Sequence, residues 1–149
     1  MTAAASPGNV TVTGSAAGFV QHVTAGTHHL IADEPAAAGG SDRGPDPYSL
    51  LLAALGSCTS MTIGMYARRK RWPLENVTVW LRHKRKHVAD GEDAAETERF
   101  LTVIEREIAL DGPLSPEQRA RLLEIAERCP VHRTLESRIQ IHTRLTETA

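Results

Sequence analysis

Leu50-Leu51-Leu52-Ala53-Ala54-Leu55-Gly56-Ser57-Cys58-Thr59 opens a stretch that runs without proline to about Arg69. Plotted at helical spacing, Leu50, Leu51, Leu52, Leu55, Met61, Ile63 and Met65 cover the full circumference rather than one stripe. A helix apolar all round has to be buried, and about twenty helical residues span roughly 30 Å, the width of a small domain. Asp46-Pro47 supplies its start, a capping acid before a proline suited to the first helical position. Arg68-Arg69-Lys70-Arg71 puts positive charge where the helix dipole favours it, and Trp72-Pro73 ends the helix. Gly56 marks a close approach to a neighbouring element.

Outward from this helix the chain reads as strands. Val10-Thr11-Val12-Thr13 is short and β-rich. Phe19–Thr24 and Thr27–Ala32 flank the hairpin-like break Ala25-Gly26, and Pro35 to Pro45 has the composition of a loop. On the C-terminal side, Val77, Val79 and Leu81 alternate with polar neighbours in a strand expected to continue through His83-Lys84-Arg85-Lys86-His87. Ala89 to Thr97 is an acidic turn, and Phe100 to Leu110 is the returning strand, with Phe100, Thr102, Ile104 and Ile108 on one face. Ser115-Pro116-Glu117-Gln118 begins a second helix with a capping box, which Pro130 limits. Thr134-Leu135 leads into a last alternating strand, Arg138 to Leu145. The order is that of one α+β domain spanning residues 1–149, with 1–8 a frayed terminus. The second helix has too narrow a stripe to enclose the first, so a second copy of the chain is expected to complete the burial in a homodimer.

Composition narrows the classes of function. The chain has 149 residues, 41% apolar but only 4% aromatic, and a net charge of −1, which gives no field to draw it onto nucleic acid or a membrane surface. No stretch reads as a transmembrane span, and the start lacks the basic and apolar regions of a signal peptide. The basic run Arg82 to His87 faces the acids Asp90, Glu92, Asp93, Glu96 and Glu98 across the turn. It reads as a charged hairpin end that resists edge-to-edge pairing, in preference to a nucleic-acid stripe.

Only two cysteines occur, and two thiols without an export signal point to a reducing, cytoplasmic setting. Cys58 alone reads as a small core residue. Cys129, in Glu127-Arg128-Cys129-Pro130-Val131-His132-Arg133, lies at a helix stop among positive charges that favour a thiolate. A metal at Cys129 and His132 would need further ligands that only Cys58 and scattered histidines offer, so neither a metal nor another cofactor is expected. Ser57 and Ser60 lack a recognisable base and acid for hydrolase chemistry.

Pro47–Thr59 and Leu122–Leu135, taken together, resemble the OsmC/Ohr family of thiol-dependent hydroperoxide reductases. Asp33-Glu34-Pro35 and Gly39-Gly40 resemble one branch of it. The resemblance implies an intertwined α+β homodimer with antiparallel sheets packed around long central helices. It also implies Cys58 as the peroxidatic and Cys129 as the resolving thiol, forming a catalytic disulfide that serves defence against oxidative stress. The implied substrate is an organic hydroperoxide, and the implied reductant a dithiol such as a lipoylated protein.

Two positions depart from the family pattern. Tyr48 stands where the best-studied members have a Glu after the proline, and the first 42 residues contain no Arg or Lys to supply their activating cation. Candidate substitutes are Arg43, Tyr48 and the histidines His22, His28 and His29; neighbours in a strand, His28 and His29 point to opposite faces. The same departures motivate an alternative reading, a non-catalytic dimer whose cavity binds an apolar or thiol-reactive small molecule.

Overall fold

The computed structural model of the chain describes residues 10–87 and 100–146. The expected acidic turn, its five acids and the N-terminal residues 1–8 lie outside the described residues. Contacts group the chain into two compact units, residues 1–53 and 54–149.

In the first unit, β1 (Val10–Gly14), β2 (Gln21–Ala25) and β3 (His28–Ala32) form an antiparallel meander, with Val12 opposite Val23 and Val23 opposite Leu30. Gly26 makes the β2–β3 turn at φ 62°, a left-handed conformation that favours glycine. The loop that follows is more ordered than its composition suggests. Asp33 is buried, and its carboxylate accepts the N–H groups of Glu34 at 2.8 Å, Ser41 at 3.2 Å and Arg43 at 3.1 Å. The hydrogen bond from the Arg43 N–H is the largest influence holding this carboxyl below its ordinary range, and burial opposes it. One acid thus gathers a loop rich in alanine and glycine.

Helix α1 (Pro47–Lys70) starts as expected: Asp46 Oδ1 accepts the Ser49 N–H at 3.1 Å. Its end is a Schellman turn, with Trp72 N–H on Ala67 O at 3.0 Å and Arg71 N–H on Arg68 O at 3.1 Å. Arg71 takes the left-handed position at φ 56°. By length and mean hydropathy α1 is apolar enough to cross a membrane, contrary to the sequence reading. Its interspersed hydroxyls read as polar but bond back to the helix, as Thr59 Oγ1 does to Leu55 O at 2.7 Å. Within the chain only the face bearing Leu55, Gly56, Thr59, Ile63 and Ala67 is buried.

In the second unit, β4 (Asn76–His87) and β5 (Phe100–Asp111) form one antiparallel hairpin, in register from Asn76–Asp111 to His87–Phe100. A Cβ added at Gly56 would come within 2.7 Å of Leu81 Cδ1, so the glycine lets α1 lie close on β4. Helix α2 (Pro116–Ala126) carries the capping box of Ser115 and Gln118 in both directions. Ile63 and Ala67 of α1 form the core with Leu114, Leu122 and Ala126, bordered by Tyr66, Trp72, Val77, Ile108 and Leu110. The architecture is α+β with antiparallel sheets.

Two expectations are corrected. Pro130 limits α2, but it also begins a third helix, α3 (Pro130–Glu136), which takes in Thr134 and Leu135. Proline at a first helical position needs no N–H partner, so the same residue that ends one helix starts the next. The alternating stretch from Arg138 to Leu145 forms no strand, and Ile139, Ile141 and Leu145 are 53%, 86% and 97% exposed. Alternation prepares an apolar face, but a strand also needs a neighbouring edge to complete its ladder. Within the described part of the basic run, Arg82 pairs with Glu105 and Glu107, and Lys84 with Glu105.

Candidate functional site

Helix α1 carries Cys58 at partial exposure, and the α2–α3 turn places Cys129, fully buried, at the cap of α3. The fold brings the two free thiols into hydrogen-bonding contact. Beside them opens an apolar mouth lined by Ala54, Met61, Thr62, Met65, Pro130 and Val131.

The two sulfurs differ electrostatically. Burial pushes the Cys58 thiol up, and its hydrogen bond to Cys129 pushes it further, against smaller opposing effects from the Val131 N–H and the Thr62 hydroxyl. Burial also acts to raise Cys129. It is outweighed by the hydrogen bond from Cys58, the N–H groups of His132 and Val131, and the Thr59 hydroxyl, so this thiol lies below its ordinary range.

The second unit supplies a cation that the sequence reading missed. Arg106 of β5 has a side chain only 10% exposed, and its Nη1 donates to Thr59 Oγ1 at 2.8 Å. Its Nη2 donates to Glu127 Oε1 at 3.3 Å and to His132 Nδ1 at 3.2 Å. His132 Nε2 in turn faces Glu127 at 3.2 Å and Glu136 at 3.1 Å. Arg106, Glu127, His132 and Glu136 line a cleft of about 390 Å³ together with Leu55, Thr102, Ile104 and Leu135. The signal was present in the strand alternation: between Ile104 and Ile108, position 106 shares the inward face, and an arginine there demands partners.

The other candidates belong to the first unit. Arg43 and Tyr48 have exposed side chains, and the Arg43 backbone serves the Asp33 loop. His22, His28 and His29 are exposed on the meander, and His29 Nδ1 pairs with Thr24 Oγ1 at 3.1 Å. Register puts His29 beside Thr24 and His28 beside Ala25, on opposite faces as expected.

Comparison with known families matches residues 39–144 to the OsmC-like protein family, a span that includes both cysteines, Arg106 and His132. The chain belongs to the OsmC-like family. Solved structures share the OsmC-like fold at low identity. An osmotic stress induced and detoxification response protein of Psychrobacter arcticus superposes with a TM-score of 0.66 at 18% identity, over 84% of this chain and 85% of that one. The organic hydroperoxide resistance protein OsmC of Legionella pneumophila gives 0.62 at 19% identity, over 86% and 88% of the two chains. The organic hydroperoxide resistance protein OhrB of Bacillus subtilis gives 0.59 at 20%, over 86% and 89%. No curated protein sequence matches the chain.

Proposed function

We propose that this OsmC-like protein is a thiol peroxidase that reduces organic hydroperoxides through a Cys58–Cys129 disulfide. The observation that carries the reading is the contact between two free thiols, one reachable from an apolar mouth and the other fully buried. The Cys58 sulfur attacks the terminal peroxide oxygen; the O–O bond breaks and an alcohol departs, leaving a sulfenic acid. Cys129 then attacks the Cys58 sulfur, the S–O bond breaks, and hydroxide leaves as the disulfide forms. A dithiol, such as a lipoyl group, takes the two oxidising equivalents by exchange and restores both thiols. The lining of Met61, Met65, Pro130 and Val131 favours an alkyl or fatty peroxide over hydrogen peroxide.

The working unit of this reading is a homodimer in a reducing, cytoplasmic compartment. Met61 is 71% and Met65 50% exposed, and with Ala54 and Cys58 they make a stripe at helical spacing along α1. A second copy would cover that stripe and enclose the thiol mouth.

Replacing Cys58 by Ser tests the chemistry. Cumene hydroperoxide consumption with dihydrolipoamide is expected to fall to the uncatalysed background. A Cys58→Ser protein that turns over at the native rate would overturn the reading. A protein that binds the peroxide without consuming it would support the non-catalytic alternative.

A further inference from the structure

One guanidinium joins the two chain segments that carry the sulfurs. Arg106 Nη1 donates at 2.8 Å to the hydroxyl oxygen of Thr59, the residue after Cys58 on α1. Thr59 is the acceptor there, since its own hydrogen goes to Leu55 O at 2.7 Å. The two hydrogens of Arg106 Nη2 go to Glu127 Oε1 at 3.3 Å and His132 Nδ1 at 3.2 Å, which flank Cys129 on either side. A planar fork of fixed donors suits three partners on separate elements in a way that a single ammonium does not.

The rest of the chain holds the two segments unequally. Thr59 lies on the buried face of a 24-residue helix. Cys129 ends the short turn 127–129 between α2 and α3. Pro130 offers no N–H, Cys129 makes no side-chain bond as the cap of α3, and no residue of α3 itself is fully buried. Burial therefore does little to fix this short helix, and the bonds from Arg106 tie both flanks of the turn to β5. The Arg106 side chain is only 10% exposed, so water competes weakly for its hydrogens.

We propose that Arg106 is a positioning residue that pins the Cys129 turn to the Cys58 helix and so raises the effective concentration of one sulfur at the other. This rests on the peroxidase reading for the use of the pair. In that reading Cys129 attacks the sulfenic acid of Cys58; the S–S bond forms, the S–O bond breaks, and hydroxide leaves. Without the pin the turn has to be ordered as the S–S bond forms, and the freedom lost then opposes closure. The pin therefore acts on the redox equilibrium of the pair as well as on its rate.

The test equilibrates the full-length protein with mixtures of reduced and oxidised dithiothreitol and counts free thiols. Oxidised dithiothreitol takes two electrons and two protons from the pair, leaving the protein disulfide and the reduced reagent. Arg106→Met is expected to lower the equilibrium constant for disulfide formation about tenfold, which is about 30 mV toward easier reduction. Arg106→Lys keeps the charge without the fork and is expected to fall with Arg106→Met. In a Cys129→Ser background, adding Arg106→Met is expected to change Cys58 alkylation by iodoacetamide less than about twofold, whereas general loosening of the fold would speed it. Should Arg106→Met fail to fold by circular dichroism, His132→Leu decides, with an expected fall of about threefold for the loss of one bond to the turn. Native equilibrium constants in these variants would overturn the proposal, as would alkylation that speeds up in step with the loss of closure. The titration involves no peroxide, so its failure is distinct from a failure of the turnover assay.

Discussion

Cys58 and Cys129 are in hydrogen-bonding contact in the reduced protein, so the sulfurs that would form a disulfide are neighbours before any oxidant arrives. Long loops are costly to close, and the fold has already closed the 71-position gap between these residues (129 − 58). Removing Cys129 therefore leaves Cys58 able to react once but unable to resolve. In Cys129→Ser, intact-mass analysis after excess cumene hydroperoxide is expected to show Cys58 gaining two or three oxygens. The native chain should instead lose two hydrogens. A Cys129→Ser protein that sustains native turnover would exclude the disulfide.

Glu105 lies between Lys84 and Arg82, and their hydrogen bonds, the Lys84 one first, bring its carboxyl down to about 2 against an ordinary 4.5. A depressed folded-state value means that the ionised form is favoured by folding. The contribution is present above the ordinary value and disappears as pH falls through the folded one. Thermal midpoints of native and Glu105→Gln protein should differ at pH 6 and converge as pH approaches about 2. The gap should shrink in high salt, since Arg82 and Lys84 are exposed. A gap that widens on acidification would contradict this pairing.

The long helix, the β4–β5 hairpin and the capping box were legible because each is a local pattern: unbroken apolar residues, period-two alternation, and a Ser–Gln pair at fixed spacing. Two of the failures involve partners distant in sequence. Arg138 to Leu145 has the alternation of a strand but no ladder among the described residues. Arg106 finds its partners only when the fold brings Thr59, Glu127 and His132 to it from α1 and the α2–α3 region. The family resemblance points to a cation from the first third of the chain, whereas the cation beside Thr59 comes from β5.

Arg71 occupies the left-handed position of the Schellman turn at φ 56°, where a Cβ crowds the following carbonyl. Glycine removes that crowding, and Arg68, Arg69 and Lys70 still face the helix dipole. Arg71→Gly is therefore expected to stabilise the fold by about 1 kcal/mol. Urea unfolding checks this through a higher midpoint at an unchanged slope. A lower midpoint would mean that the Arg71 side chain contributes more than its backbone conformation costs.

Met61 and Met65 lie on the part of α1 that this chain leaves open, one and two turns beyond Cys58. An α1–α1 contact across a two-fold axis would bury this stripe in both copies, and a charge at its centre would be buried twice. Met61→Glu is therefore expected to give monomers at concentrations where the native chain is a dimer, as measured by light scattering. The same substitution should slow organic hydroperoxide turnover, because the open monomer no longer shields the thiol mouth from water. A native chain that is monomeric at micromolar concentration would remove the dimer from the reading and leave the two-thiol chemistry to a single copy.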